Sequence, residues 1–205
     1  MAKGNQETES KFWVNDLPTI ETRLRNLGAK VVEVRAFETN IRFDTPENSF
    51  SQAGKVLRLR KYHDNRLTFK GAGEKIGGAL SRLEIETVVE DHENMRLILG
   101  QIGFKERAVY EKYRKMVEYK GSLVTLDELP YGNFIEIEGL DFDQISEVAQ
   151  DLDIDPSKAI PVSYQKIFES LRDKLSLKAA NLTFDEVELT GVDLSVLGFE
   201  KADSL

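Results

Sequence analysis

Charged residues recur at every second position in five short stretches: Glu7, Glu9 and Lys11 in ETESKF, Arg58 and Arg60 in VLRLR, Arg82, Glu84 and Glu86 in SRLEIE, Lys112 and Arg114 in YEKYRK, and Glu136 and Glu138 in FIEIEG. On a helix such residues would spread around the cylinder, whereas on a strand they share one face. The interleaved Phe12, Leu57, Leu59, Leu83, Ile85, Ile135 and Ile137 take the other face. A solvent face is usually a mixture of Ser, Thr, Asn, Gln, Lys and Glu; these faces hold Arg and Glu in close pairs, in both halves of the chain. The basic set, Lys11, Arg58, Arg60, Lys70, Arg82, Lys112 and Arg114, suits an anion with several negative charges, because the guanidinium fork matches phosphate oxygens. The acidic set, Glu7, Glu9, Glu84, Glu86, Asp127, Glu136 and Glu138, offers hard oxygen ligands of the kind that hold Mg²⁺ or Mn²⁺. Together the two sets point to a metal-bound polyphosphate.

Composition removes competing chemistries. With no cysteine, disulfides, thiolate metal sites and thiol catalysis are excluded, and only His63 and His92 supply imidazole. His63 falls in the turn YHDN and His92 near a helix start, so both are expected to be solvated. A net charge of −8 argues against nucleic acid as a partner. No apolar run is long enough to cross a bilayer, and MAKGNQETES lacks the apolar centre of a signal peptide, which gives the cytosol as the expected location and no membrane partner. At 205 residues, 40% of them hydrophobic, the chain can build one well-packed domain with an appendage.

Two halves repeat one order of elements. In the first, a strand over 7–14 leads to a helix carrying Ile20, Leu24 and Leu27, capped by Asn15 or Asp16 and ended by Gly28, then strands over 30–44, 55–62 and 66–71. In the second, a strand over 80–90 leads to a helix carrying Met95, Ile98, Leu99 and Ile102, then strands over 105–119, 122–129 and 134–139. This reads as a structural duplication with about eight strands. Amphipathic helices follow over 141–152 and 163–175, and the acidic stretch 176–205 reads as an extension able to dock on the domain or on a second copy in a homodimer, with partial disorder as the plainest alternative. Phe12 and Trp13 are expected in the apolar layer. The glycine-rich GAGEKIGG (71–78) lacks the Lys-Ser/Thr of a phosphate-binding Walker loop and reads as a flexible hairpin connection.

If the eight strands close, the apolar parity faces outward beneath the helices and the charges line a polar interior. Buried ions of both signs must pair or coordinate metals. ETESKF fits the E-x-E-x-K signature of the CYTH superfamily, the triphosphate tunnel metalloenzymes, and the likeness continues in order through VLRLR, LTFKG, RLEIET, EKYR, TLDELPYGNFIEIEG and SYQKI. The chain resembles class IV adenylate cyclases, thiamine triphosphatases and inorganic triphosphatases. That resemblance implies an α+β fold over 1–175, a closed eight-stranded antiparallel β-barrel with a charged interior and helices outside, followed by the acidic extension 176–205. It also implies a small-molecule triphosphate bound with divalent cations. By motif, Glu7, Glu9 and Lys11 form the signature triad, Arg58, Arg60, Lys70, Arg82 and Arg114 grip phosphates, and Glu136 and Glu138 hold metal, with Lys112 and Asp127 added to the two sets.

Three functions fit these residues. In hydrolysis, water attacks the terminal phosphorus in line while metal and the basic set stabilise charge. In a cyclase, the same clamp turns the ribose 3′-oxygen of ATP on the α-phosphorus and needs a place for adenine. A non-catalytic polyphosphate-binding module would use the basic set alone. Triphosphate hydrolysis asks only for features visible in the sequence and is the expected activity, with Lys11 orienting or activating the attacking water and phosphate binding as its alternative role.

Overall fold

The computed structural model describes residues 6–187 and 192–203. Its elements follow the expected order: β1 (Gln6–Val14), α1 (Leu17–Asn26), β2 (Lys30–Asp44), the one-turn α2 (Ser49–Gln52), β3 (Val56–Lys61), β4 (Asn65–Lys70), β5 (Glu74–Ile76) and β6 (Ala79–Val88), then α3 (His92–Gln101), β7 (Lys105–Tyr119), β8 (Ser122–Leu129), β9 (Gly132–Glu138), α4 (Phe142–Asp151) and α5 (Tyr164–Leu175). Four of the helices start on a side chain that accepts from the backbone N–H three residues on: Asp16 from Thr19, Asp91 from Asn94, Asp141 from Gln144 and Ser163 from Lys166.

The strands close on themselves. Antiparallel ladders run β1-β9-β8-β7-β2-β3-β4-β6, and a further ladder from Gln6↔Leu83 to Glu9↔Leu80 joins β6 back to β1. The ring has the symmetry of a duplication, since β2 pairs with β7 and β1 with β6, while the first strand of each half pairs with the last strand of the other. Eight strands form the ring; the ninth, β5, is a short addition on β6.

Alternation does the sorting. On the outer face Phe12, Val124, Val117, Ile135 and Ile137 pack beneath Leu17, Ile20 and Leu24 of α1 and Ile145, Val148 and Ala149 of α4. On the other half Ile41, Phe43, Leu57 and Leu59 pack against Leu99 of α3. Each fully buried large apolar side chain contributes roughly 1.5–3 kcal/mol. At one end of the barrel the charged parity turns apolar, with Trp13 two residues after Lys11, Phe134 two before Glu136 and Leu129 two after Asp127. These join Tyr131 and the Tyr164, Ile167, Phe168 and Leu171 face of α5 in a third core that plugs that end.

The hairpin expected over 71–78 is present, and of the two docking surfaces left open for the extension the barrel of its own chain is the one taken. The stretch 71–78 is a held hairpin: β5 pairs with Ala79–Ser81 of β6, Gly77 turns at φ +61°, and the glycines press on Phe142, where a Cβ on Gly78 would lie 2.6 Å from a ring carbon. The extension is also placed, in its described parts, on the barrel of its own chain. Leu182 bridges to Tyr110 of β7, Leu182, Val187 and Leu194 join the plug, and Asp203 accepts from the backbone N–H of Asn15 at 2.7 Å and of Asp16 at 3.1 Å. The remainder of that stretch, 188–191 and 204–205, and the first five residues lie outside the described residues.

Candidate active site

Of the fourteen residues expected in the site, thirteen line a single lumen of about 560 Å³ inside the barrel: Glu7, Glu9, Lys11, Arg58, Arg60, Lys70, Arg82, Glu84, Glu86, Lys112, Arg114, Glu136 and Glu138. The exception is Asp127, which shares the inward face of β8 but is fully buried beneath Lys112, Arg114 and Tyr164. One of its oxygens accepts from Arg114 Nε at 2.6 Å; the other accepts from Arg114 Nη2 at 2.5 Å, Lys112 Nζ at 3.1 Å and the Tyr164 hydroxyl at 2.8 Å. That environment makes Asp127 a counter-ion to Lys112 and Arg114, with its lone pairs engaged before any metal arrives.

The charges neutralise one another in three groups. Beside the plug, Glu136 takes Lys11 Nζ at 2.6 Å and Arg114 Nη2 at 2.5 Å, and Lys112 lies 3.5 Å from Glu38. Farther from the plug, Lys70 Nζ reaches Glu7 at 2.7 Å and Glu84 at 2.8 Å, while Arg82 reaches Glu9 at 2.8 Å. On β3 and β4, Glu86 accepts from Arg66 and Thr68 at 2.7 Å, with Arg60 and Arg58 at 3.8 and 3.9 Å. Pairing of this density offsets the cost of holding ions away from water.

The carboxylates divide into two kinds. Burial would raise Glu136 and Glu38, but Lys11 and Arg114 hold the first well below the ordinary carboxylate range, and Lys112 and Arg114 hold the second at about 2. Glu138 goes the other way. Burial and then the neighbouring charges of Glu7, Glu84 and Glu9 push it up to about 7. Glu7 is likewise raised, first by burial, against the pull of Lys70. Glu138 is thus crowded by Glu7, Glu84 and Glu9, and the hard oxygens of these four acids fit a divalent cation. Among the described residues no three acids are already converged as a coordination sphere.

The lumen is also lined by residues that the sequence reading passed over, Glu33, Arg42, Arg66, Tyr110, Thr125 and Tyr164, and Glu38 and Asn40, of the same β2 parity as Arg42, are fully buried without lining it. Glu38, Asn40 and Arg42 alternate on β2 like the other sets, but register shifts between Val31 and Glu33 and between Glu33 and Ala36 reset the parity upstream and mask the pattern. Several buried polar atoms have no hydrogen-bond partner, among them Oδ1 of Asn40, Nε of Arg58 and Nε of Arg60. An unmatched buried donor costs about 1–3 kcal/mol, and the two guanidinium side chains that carry these atoms line one cavity, which suits an anion. His63 is exposed as expected; His92 departs from expectation, half-buried, with Nε2 among the buried atoms lacking a partner and its ring held below the ordinary imidazole value first by burial.

A closed antiparallel ring with a charged lumen and apolar outer wall defines the class. The CYTH domain model matches residues 5–164, and the chain belongs to the CYTH family. It is 31% identical over 135 residues, 64% of this chain and 75% of the relative, to the protein named "Putative adenylate cyclase MJ0240" of Methanocaldococcus jannaschii. Its fold is similar to a structure from Vibrio parahaemolyticus, described as a putative adenylate cyclase, with TM-score 0.71 and 20% identity over 82% of this chain and 99% of that one. It is also similar to HpAC1 of Hippeastrum, described as a putative adenylyl cyclase with a dominant triphosphatase activity, with TM-score 0.61 and 16% identity over 80% of this chain and 95% of that one. Among the described residues no helix is long and apolar enough to cross a membrane.

Proposed function

We propose that this chain is a divalent-cation-dependent triphosphatase whose substrate, a tripolyphosphate or an organic triphosphate, lies in the barrel lumen. The carrying observation is the matched pairing of the lumen: every cation named as a phosphate grip lies within 3.9 Å of a carboxylate, and among the unpartnered buried atoms are Nε of Arg58 and of Arg60. A metal–polyphosphate ligand likewise carries both signs. Binding then becomes an exchange of partners, with phosphate oxygens taking the Arg and Lys set and the metal taking acids, and no bare charge is left in the interior.

Glu7, Glu9, Glu84 and Glu138 would hold Mg²⁺ or Mn²⁺. The cation supplies neutralisation of phosphate oxygens. Arg58, Arg60, Lys70, Arg82 and Arg114 orient the chain of phosphates and stabilise charge on the departing diphosphate. Glu86, Glu136 and Asp127 fix these cations in place. Lys11, ion-paired to Glu136 at 2.6 Å, is placed to donate: it orients the attacking water or grips the terminal phosphate.

The name of the Methanocaldococcus relative favours a second reading, cyclisation of ATP. The aromatic side chains of the lumen, Tyr110 and Tyr164, are committed to Arg58 at 3.2 Å and Asp127 at 2.8 Å, which favours hydrolysis over recognition of a base. Purified protein offered tripolyphosphate, thiamine triphosphate and ATP with Mg²⁺ or Mn²⁺ decides between them. Phosphate release supports the triphosphatase. Cyclic AMP with pyrophosphate identifies a cyclase, and binding without turnover a non-catalytic module.

A further inference from the structure

Two lysines of the lumen, Lys11 on β1 and Lys112 on β7, come from strands three places apart in the ring and converge on one aromatic ring. Lys11 Nζ stands 4.2 Å and Lys112 Nζ 5.2 Å from the ring centre of Tyr164, the first residue of α5. Both distances lie within the range of cation–π attraction. The ring is itself fixed at three points. Its hydroxyl donates to Asp127 at 2.8 Å, the same oxygen that accepts from Lys112; its backbone carbonyl accepts from the Tyr131 hydroxyl at 3.0 Å; and Phe134 packs edge-on with centroids 5.2 Å apart. A lysine ends in a point charge on a flexible stem, so one carboxylate partner leaves its position loosely defined. A π face beneath the ammonium adds a further constraint, and here one ring serves two ammoniums.

We propose that Tyr164 is a positioning residue: its ring fixes Lys11 and Lys112 against the polyphosphate, so that docking of α5 in the barrel end is a condition of tight substrate binding. This rests on the triphosphate reading of the lumen. The consequence is that the plug is part of the binding machinery. α5 sets the height of its ring through Ser163, which caps the helix, and through the buried Ile167, Phe168 and Leu171 behind it.

The test separates ring electrostatics from packing. Phenylalanine at 164 keeps the ring and loses the hydroxyl; mono-, di- and trifluorinated phenylalanines then weaken the π face stepwise at nearly constant shape. Affinity for tripolyphosphate is measured calorimetrically without metal. Tyr164→Phe is expected to stay within about threefold of wild type, the trifluoro ring to lose about tenfold, and Tyr164→Leu to lose more than that. A flat fluorination series in a protein that binds tripolyphosphate overturns the proposal and leaves Tyr164 a packing residue. If the unaltered protein binds neither tripolyphosphate, thiamine triphosphate nor ATP, the functional reading fails on its own. The positioning role is then decided without ligand, by urea unfolding of the same series with Lys11 present and in a Lys11→Met, Glu136→Leu background, which removes the ion pair together. Fluorination is expected to lower the midpoint more with Lys11 present. Equal shifts in the two backgrounds overturn it.

Discussion

Glu9 and Glu138 stand directly opposite each other across the β1–β9 ladder, two carboxylates at a pairing position where opposite charges are the stabilising choice. Arg82 attends to Glu9 at 2.8 Å, and Glu138 has no salt-bridge partner among the described residues. Like charges facing across a sheet are costly, and the cost is concentrated on Glu138.

The first prediction follows from that cost. Glu138 has its carboxyl raised from 4.5 to about 7 in the fold, by burial and by Glu7, Glu84 and Glu9. The folded state thus holds the proton more tightly than the unfolded chain. The linked stabilisation is full below about 4.5 and is lost as pH rises through about 7. Metal-free protein should melt at a lower temperature at pH 8 than at pH 5.5, with an amplitude softened by the solvent that reaches this side chain. His92, held low, works in the opposite direction, so the informative quantity is the difference between wild type and Glu138→Gln, in which the Glu138 contribution vanishes. A difference that does not change with pH would contradict the assignment. Saturating Mg²⁺ should flatten the wild-type profile.

Neutral isosteres at the same positions address the metal. Glu9→Gln and Glu138→Gln remove a ligand charge while keeping size and polarity, and are expected to abolish cation-dependent turnover with the fold retained. Because each removes one of several repelling charges, Glu138→Gln should melt no lower than wild type in chelator. Full activity of both variants at low Mg²⁺ would remove these acids from the metal set.

Asp127 carries the largest expected stability effect. It is fully buried and neutralises Lys112 and Arg114 together. Asp127→Ala leaves two cations in the interior with reduced compensation, a loss of about 3–5 kcal/mol, to be read from urea unfolding. Asp127→Asn, which keeps the shape and one acceptor, should recover part of it. A loss below about 1 kcal/mol for the alanine variant would mean that Glu136 and Glu38 suffice.

The β5–β6 hairpin offers a purely steric test. A Cβ at Gly78 would meet the Phe142 ring at 2.6 and 2.8 Å and Ala159 at 3.3 Å. Gly78→Ala should cost about 1–3 kcal/mol, and adding Phe142→Leu should return some of that loss by double-mutant cycle. Independent effects would show that the hairpin is not held by this contact.

Much of the barrel was legible in the sequence because its signal is alternation, and alternation survives wherever the strand is regular. Glu7, Glu9 and Lys11, or Glu136 and Glu138, announce a shared face with no knowledge of their neighbours. Glu38 and Arg42 were hidden because β2 is bulged upstream of them. Tyr164 was hidden for a different reason: it reaches the lumen from a helix outside the barrel, and no local period records that. Asp127 was read as a hard-oxygen metal ligand, but its contacts with Lys112, Arg114 and Tyr164 come from sites 13 to 37 residues away and make it their counter-ion. Tight glycine contacts such as Gly78 on Phe142 are invisible for the same reason.

The ring has a consequence for how the molecule comes into being. β1 has only two partners, β6 and β9, and neither is its neighbour along the chain; its ladder to β9 runs from Glu9↔Glu138 to Val14↔Asn133. During synthesis at about 5–20 residues per second, β1 emerges first and waits roughly ten seconds for its last partner. Until β9 is made the ring cannot close, so the faces of Glu7, Glu9 and Lys11 keep access to water. The lumen is thus sealed late, by a strand made early, and the expensive act of gathering so many ions inside a wall is postponed until every counter-charge is present.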